Sequence, residues 1–136
     1  MILELVLYFI IAVGLSFVKV DVVPIASVIV GIHFGSFVGV LFGIITKIVN
    51  SILRKQFDHR TLVHIAGIIF LVKITASVGM TLTMGPLLGA ILAYIIITFI
   101  VIQLFGGDFL KGLLFAARDI VVTIVFIKLL QLASII

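Results

Sequence analysis

The stretch SVIVGIHFGSFVGVLFGIITKIVNS, residues 27–51, carries glycines at a fixed interval of four: Gly31, Gly35, Gly39 and Gly43. The same step reaches back to Ser27 and on to Lys47 and Ser51. In an α-helix a four-residue step returns to nearly the same face, so these positions form a slowly drifting stripe with little side-chain volume. In water the stripe would weaken a helix, because each Gly costs about 1 kcal/mol relative to Ala. In a bilayer the backbone stays hydrogen-bonded within the helix, and small residues spaced by four let membrane helices approach closely. The ladder therefore predicts close helix packing inside a membrane bundle, or an oligomerising or pore-lining helix face.

Composition points the same way. Of 136 residues, 65% are hydrophobic and only 10% charged, against roughly a quarter charged in soluble domains. The expectation is an all-α, polytopic integral membrane helix bundle, one membrane-embedded domain over residues 1–136. At about 20 residues per crossing, the length allows five or six spans with short loops. The net charge of +4 sits mostly at loop positions and reads as membrane-surface charge. No basic surface interleaved with aromatics is present, so nucleic acid is not an expected partner. The absence of cysteine excludes disulfide and thiol chemistry. The N-terminal MILELVLYFIIAVGLSFV has Glu4 in place of a basic region and no A-x-A site, so it reads as a retained span.

Along the chain, span one covers about residues 2–18 and ends at Lys19 and Asp21, with Pro24 suited to the first turn of the next helix. Residues 22–53 are ambiguous. As a single helix they would be about 48 Å long, against a core of ~30 Å. As two spans they would turn near His33, Phe34, Gly35 and Ser36. Further spans are expected at 62–80, 86–105 and 113–132, separated by MTLTMGP and GGDFLKG. In RKQFDHR, residues 54–60, Arg54, Lys55 and Arg60 outnumber Asp58, which predicts a cytoplasmic loop. Five spans with the N-terminus inside would put Arg54, Lys55, Arg60 and Lys111 on the cytoplasmic side. Six spans with both termini inside would put RKQFDHR outside.

Few residues could carry chemistry. Lys73, Arg118 and Asp119 fall at membrane depth, where charges are costly and are paired or face a cavity. Sequence neighbours point about 100° apart on a helix, so Asp119 is expected to pair with Lys73 across helices. Arg118 is then left for an anion, a carbonyl cluster or the interface. Such a pair could fix helix register or form a solute site. His33 is read as a polar residue satisfied by a neighbouring helix, with a proton relay as the alternative. His59 and His64 match no metal spacing and are expected to be solvated loop residues. Gly85, Gly89 and Ala93 repeat the small ladder and are expected to partner the first stripe. No catalytic or phosphate-binding motif appears, so no enzyme, cofactor or metal centre is expected.

The run IVGIHFGSFVGVLFGIITKIVNSIL, with Gly35, Gly39 and Gly43 opening a helix, resembles a pattern in the S components of energy-coupling-factor transporters, which capture vitamins in the membrane. The closing FLKGLLFAARDIVVTIVFIKLLQL is loosely similar to their last helix, and Ala12 and Ser16 could supply the small-residue face used against the coupling protein. The resemblance implies six spans with cytoplasmic termini and a bound solute. Two readings of function follow. One is a small transporter subunit in a prokaryotic cell membrane, with Lys73, Arg118, Asp119 and His33 as candidate contacts to a solute. The other is a non-catalytic packing subunit of a larger membrane complex, or a homo-oligomer, joined through the glycine ladder.

Overall fold

The computed structural model describes residues 2–16, 21–55, 59–79 and 84–133. Lys19, Asp58 and residues 80–83 of the MTLTMGP turn lie outside the described residues. The described secondary structure is entirely α-helical: α1 (Ile2–Ser16), α2 (Val23–Phe34), α3 (Ser36–Leu53), α4 (His59–Ser77), α5 (Met84–Leu104) and α6 (Phe109–Leu132).

Of the two readings of residues 22–53, the broken pair is the one observed. The break is Gly35, at φ 102° and ψ 153°, a backbone region essentially reserved for glycine. The Gly35 N–H still donates to Gly31 O at 3.0 Å, and Gly39 N–H donates to Gly35 O at 3.1 Å. Helical hydrogen bonding thus runs up to the break from both sides. Replacing Gly35 with alanine tests the break alone, since no atom lies within 4 Å of the added Cβ. The expected loss is about 1–3 kcal/mol of stability, read from chemical unfolding followed by far-UV circular dichroism. An unchanged midpoint would show that the φ is not required.

The glycine ladder closes on itself across this hairpin. In a straight helix Gly31 and Gly39 would be about 12 Å apart. Instead a Cβ on Gly39 would lie 2.5 Å from Gly31 Cα, and one on Gly43 would lie 2.6 Å from Ser27 Oγ. Both pairs are equidistant in sequence from Gly35, so a four-residue repeat with a break at its centre brings like positions together. α4 completes the packing: Val72 meets Gly31 and Ile68 meets Gly43. The expected partnership with Gly85, Gly89 and Ala93 does not form. A Cβ on Gly85 or Gly89 would meet open space, because α5 turns Leu87, Ile91, Tyr94 and Ile95 inward instead.

α2 is the centre of the bundle. Its residues from Val23 to Gly31 are buried on every side, as its uniformly apolar sequence requires. Ile25, Val28 and Ile29 pack in one core with Ile68, Val72, Leu87, Ile91 and Ile127. The outer surface is also apolar: Leu3, Phe37, Phe70, Ile97 and Leu104 are all exposed. Three buried hydroxyls turn back to their own helix, Ser27 to Val23 O and Thr46 to Phe42 O at 2.7 Å each, and Thr98 to Tyr94 O at 2.8 Å. This satisfies them without water.

Three helices are long and apolar enough to cross a membrane, in α3 (Ser36–Leu53), α4 (Arg60–Ser77) and α5 (Gly85–Leu104). That is fewer than five or six, for identifiable reasons. α1 and α2 are shorter apolar helices, α2 being cut at Gly35. α6 is long, but it carries Lys111, Arg118, Asp119 and Lys128.

The helices alternate in direction. Ser16 ending α1, Pro24 opening α2, Ser51 ending α3, Thr61 opening α4, Gln103 ending α5 and Gly112 opening α6 all line one cavity. Ile2 and Leu132 therefore lie at the opposite end of the bundle from Arg54, Arg60 and Lys111. This is the six-helix order, with both ends of the described chain on one side.

Candidate functional site

The shared cavity has a volume of about 300 Å³ and draws on all six helices. Its wall is unlike the rest of the molecule. Among the described residues, Lys47, Arg54, Arg60, Lys111 and Arg118 face Asp21 and Asp119, five cations against two carboxylates.

The hairpin builds the first part. Folding about Gly35 brings the end of α3 back to the residues preceding α2, and Lys47 Nζ meets Asp21 Oδ2 at 2.9 Å. Asp21 Oδ1 also accepts the Val23 N–H at 3.1 Å, at the start of α2. Burial pushes the Asp21 carboxyl up, but the charge and hydrogen bond of Lys47, joined by His64 and the Val23 N–H, outweigh it and hold the group below its ordinary value. One turn further along α3, Asn50 is only 5% exposed, and its Oδ1 has no hydrogen-bond partner.

α6 supplies the opposite wall. Asp108 caps its start, accepting the N–H groups of Leu110 at 3.1 Å and Lys111 at 3.3 Å. This sets the register that carries Arg118 and Asp119 into the cavity. Arg118 Nη2 lies 3.7 Å from Asp119 Oδ1, an ion-pair distance too long for a hydrogen bond. Arg118 Nε and Asp119 Oδ1 are buried without hydrogen-bond partners. The guanidinium stacks over Phe115, with Cζ 5.0 Å from the ring centre. Between the two walls, His64 Nδ1 and Tyr94 Oη share a 3.0 Å hydrogen bond that ties α4 to α5.

Of the residues singled out from the sequence, Arg118 and Asp119 are in the cavity and two others are not. Lys73 is exposed on α4, about 20 Å along the helix from Arg60, and the expected Lys73–Asp119 pair is absent. Arg118 takes that place because its long side chain spans the 100° between neighbours. His33 is exposed in the last turn of α2 beside Phe34, with ring centres 6.1 Å apart, far from the cavity. His64 corrects the expectation of a solvated loop residue: it is half-buried within α4 and lines the cavity.

Asp21, Lys47, Asn50 and Tyr94 were not marked as site residues by the sequence. A hairpin about Gly35 would have paired the neighbourhood of position 23 with that of position 47, which was the available signal for Asp21 and Lys47. Asn50, one turn after the buried Thr46, lies on the same inward face. Among the described residues, no group of three or more His, Cys, Asp or Glu side chains is placed to hold a metal ion. Comparison of the chain with protein-family models, with curated proteins and with solved structures finds no match.

Proposed function

We propose that this chain is an integral membrane protein whose helix bundle binds a water-soluble solute in the polar end cavity, acting as the solute-binding subunit of a transporter. The observation that carries the reading is that Asn50, Arg118 and Asp119, each with a buried polar atom that has no hydrogen-bond partner, all line one cavity. Buried polar groups are almost always satisfied, and each exception calls for a partner. Intramembrane charges most often mark a solute pathway. The apolar exterior supports the membrane setting, since soluble monomers rarely expose contiguous apolar surface on this scale. The resemblance to S components gives the reading its transporter form. The excess of lysine and arginine at the cavity end supports a cytoplasmic position for that end, which departs from the cytoplasmic termini that the resemblance implies.

The second reading, a packing subunit or homo-oligomer, has lost Gly31, Gly39 and Gly43 to the interior. Its support is the exposed Gly85, Gly89 and Ala93 stripe on α5. Native mass spectrometry of the protein released from its own membrane separates the two. The first reading expects a bound small molecule, lost in Ala116→Phe, which fills the cavity from a half-buried lining position. An empty monomer with the same spectrum for both proteins would refute it. An oligomer that Gly89→Leu dissociates would favour the second.

A further inference from the structure

The unsatisfied atoms say more than that something binds. Building on the solute-binding reading, we propose that the ligand is a small oxyanion, a carboxylate or phosphate, that also carries hydrogen-bond donors such as hydroxyl or amino groups.

Charge supplies the first half. Lys47 is committed to Asp21 at 2.9 Å, so the cations left to meet a ligand are led by Arg118 and Lys111. Arg118 is held to Asp119 only at 3.7 Å, and its guanidinium has hydrogen-bonding capacity to spare. A planar fork over an aromatic ring is suited to carboxylate or phosphate oxygens. A cationic ligand would meet Arg118 and Lys111 with the wrong sign.

Hydrogen-bond polarity supplies the second half. Arg118 Nε can only donate, whereas Asp119 Oδ1 and Asn50 Oδ1 accept. A ligand made only of anionic oxygens would satisfy Arg118, leave Asn50 Oδ1 unpaired and be repelled by Asp119. The complementary molecule offers an acceptor to Arg118 and donors to the other two. The requirement comes from two separate helices, because Asn50 stands on α3 and the charged pair on α6. Size narrows the class further. About 300 Å³ is the low end for small-molecule pockets.

This chemistry has two sources, a free hydroxylated anion and a phosphoglycerol lipid headgroup at the membrane face. The test uses the full chain in phosphatidylcholine nanodiscs and five probes: glycerol 3-phosphate, glycerate, propyl phosphate, propionate and glycerol. Glycerol 3-phosphate or glycerate is expected to bind at least tenfold more tightly than its hydroxyl-free counterpart and than glycerol. That binding is expected to fall at least tenfold in Asn50→Leu and in Arg118→Gln. Lys111→Gln, an exposed change at the rim, reads the charge requirement should Arg118→Gln fail to fold. Competition by phosphatidylglycerol added to the nanodisc would assign the site to a lipid headgroup, and its absence to a free solute. Equal binding of propyl phosphate or propionate, or of glycerol, would overturn the ligand class. If none of the five binds while native mass spectrometry still finds a bound molecule, the class is wrong and solute binding stands. If neither is seen, both fall.

Discussion

Gly39→Ala is expected to destabilise the protein by about 3 kcal/mol, and Gly39→Leu to prevent folding. A Cβ at this position would lie 2.5 Å from Gly31 Cα, 2.7 Å from Gly31 N and 2.9 Å from the Ser27 carbonyl oxygen. All three are backbone atoms of α2, and α2 is buried on every side, so the helix cannot move away to relieve the clash. Overpacking a tight core costs about 1–3 kcal/mol when side chains can adjust, and this contact has none to adjust. Gly14 and Gly89 are the controls. Each is helical with nothing within 4 Å of an added Cβ, so alanine there is expected to be neutral or to stabilise by up to about 1 kcal/mol. Unfolding midpoints of the four proteins in one detergent check the ordering. A Gly39→Ala protein as stable as Gly89→Ala would mean that the two helices do not meet at the glycines.

The second large effect is expected at Lys47. Lys47→Met leaves the Asp21 carboxylate, 20% exposed, without the cation 2.9 Å away. Removing one partner of a buried pair costs about 3–5 kcal/mol because the remaining charge is uncompensated, and the partial exposure of Asp21 favours the lower end, about 3 kcal/mol. Adding Asp21→Asn to Lys47→Met is expected to recover most of the loss, the signature of coupling in a double-mutant cycle. The pH dependence should differ in size. In the wild type the folded state holds the Asp21 carboxyl below its ordinary value. Its contribution is therefore complete above about pH 4 and is lost as the pH falls through the depressed value. In Lys47→Met the burial is opposed only by His64 and the Val23 N–H, so the depression shrinks and the variant loses less stability on acidification than the wild type. Parallel pH profiles for the two proteins would contradict this account of the pair.

Much of the helix pattern was legible from local chemistry. Pro24 at a helix start and the GGD break ahead of the Asp108 cap each mark a boundary that the structure keeps. The Gly35 break was legible only as one of two alternatives. A four-residue glycine repeat looks the same whether it runs along one helix or is folded in half, and only the partner of each glycine decides. The site was half legible. Arg118 and Asp119 stood out because charge in an apolar run is conspicuous, and both face the cavity. Lys73 stood out for the same reason but points outward, since hydropathy does not report helix rotation when all faces are apolar. His64 was hidden by its proximity to the RKQFDHR loop, although α4 begins at His59 and carries it inward beside Tyr94. Lys47 is itself a rung of the ladder and Asn50 lies one turn beyond it, so small-residue spacing marks neither for its polarity.

All that is proposed for the cavity depends on six helices alternating in direction, so that all six contribute to one polar end while Ile2 and Leu132 lie at the other. Single-cysteine labelling tests this directly, and the native chain contributes no background because it contains no cysteine. Cysteines placed one at a time at Ile2, Gly106 and Ala133 are treated in sealed, oriented vesicles with a membrane-impermeant maleimide. The alternating bundle predicts that positions 2 and 133 label from one side and position 106 only from the other. Labelling of positions 2 and 133 from opposite sides would contradict it and would dismantle the cavity.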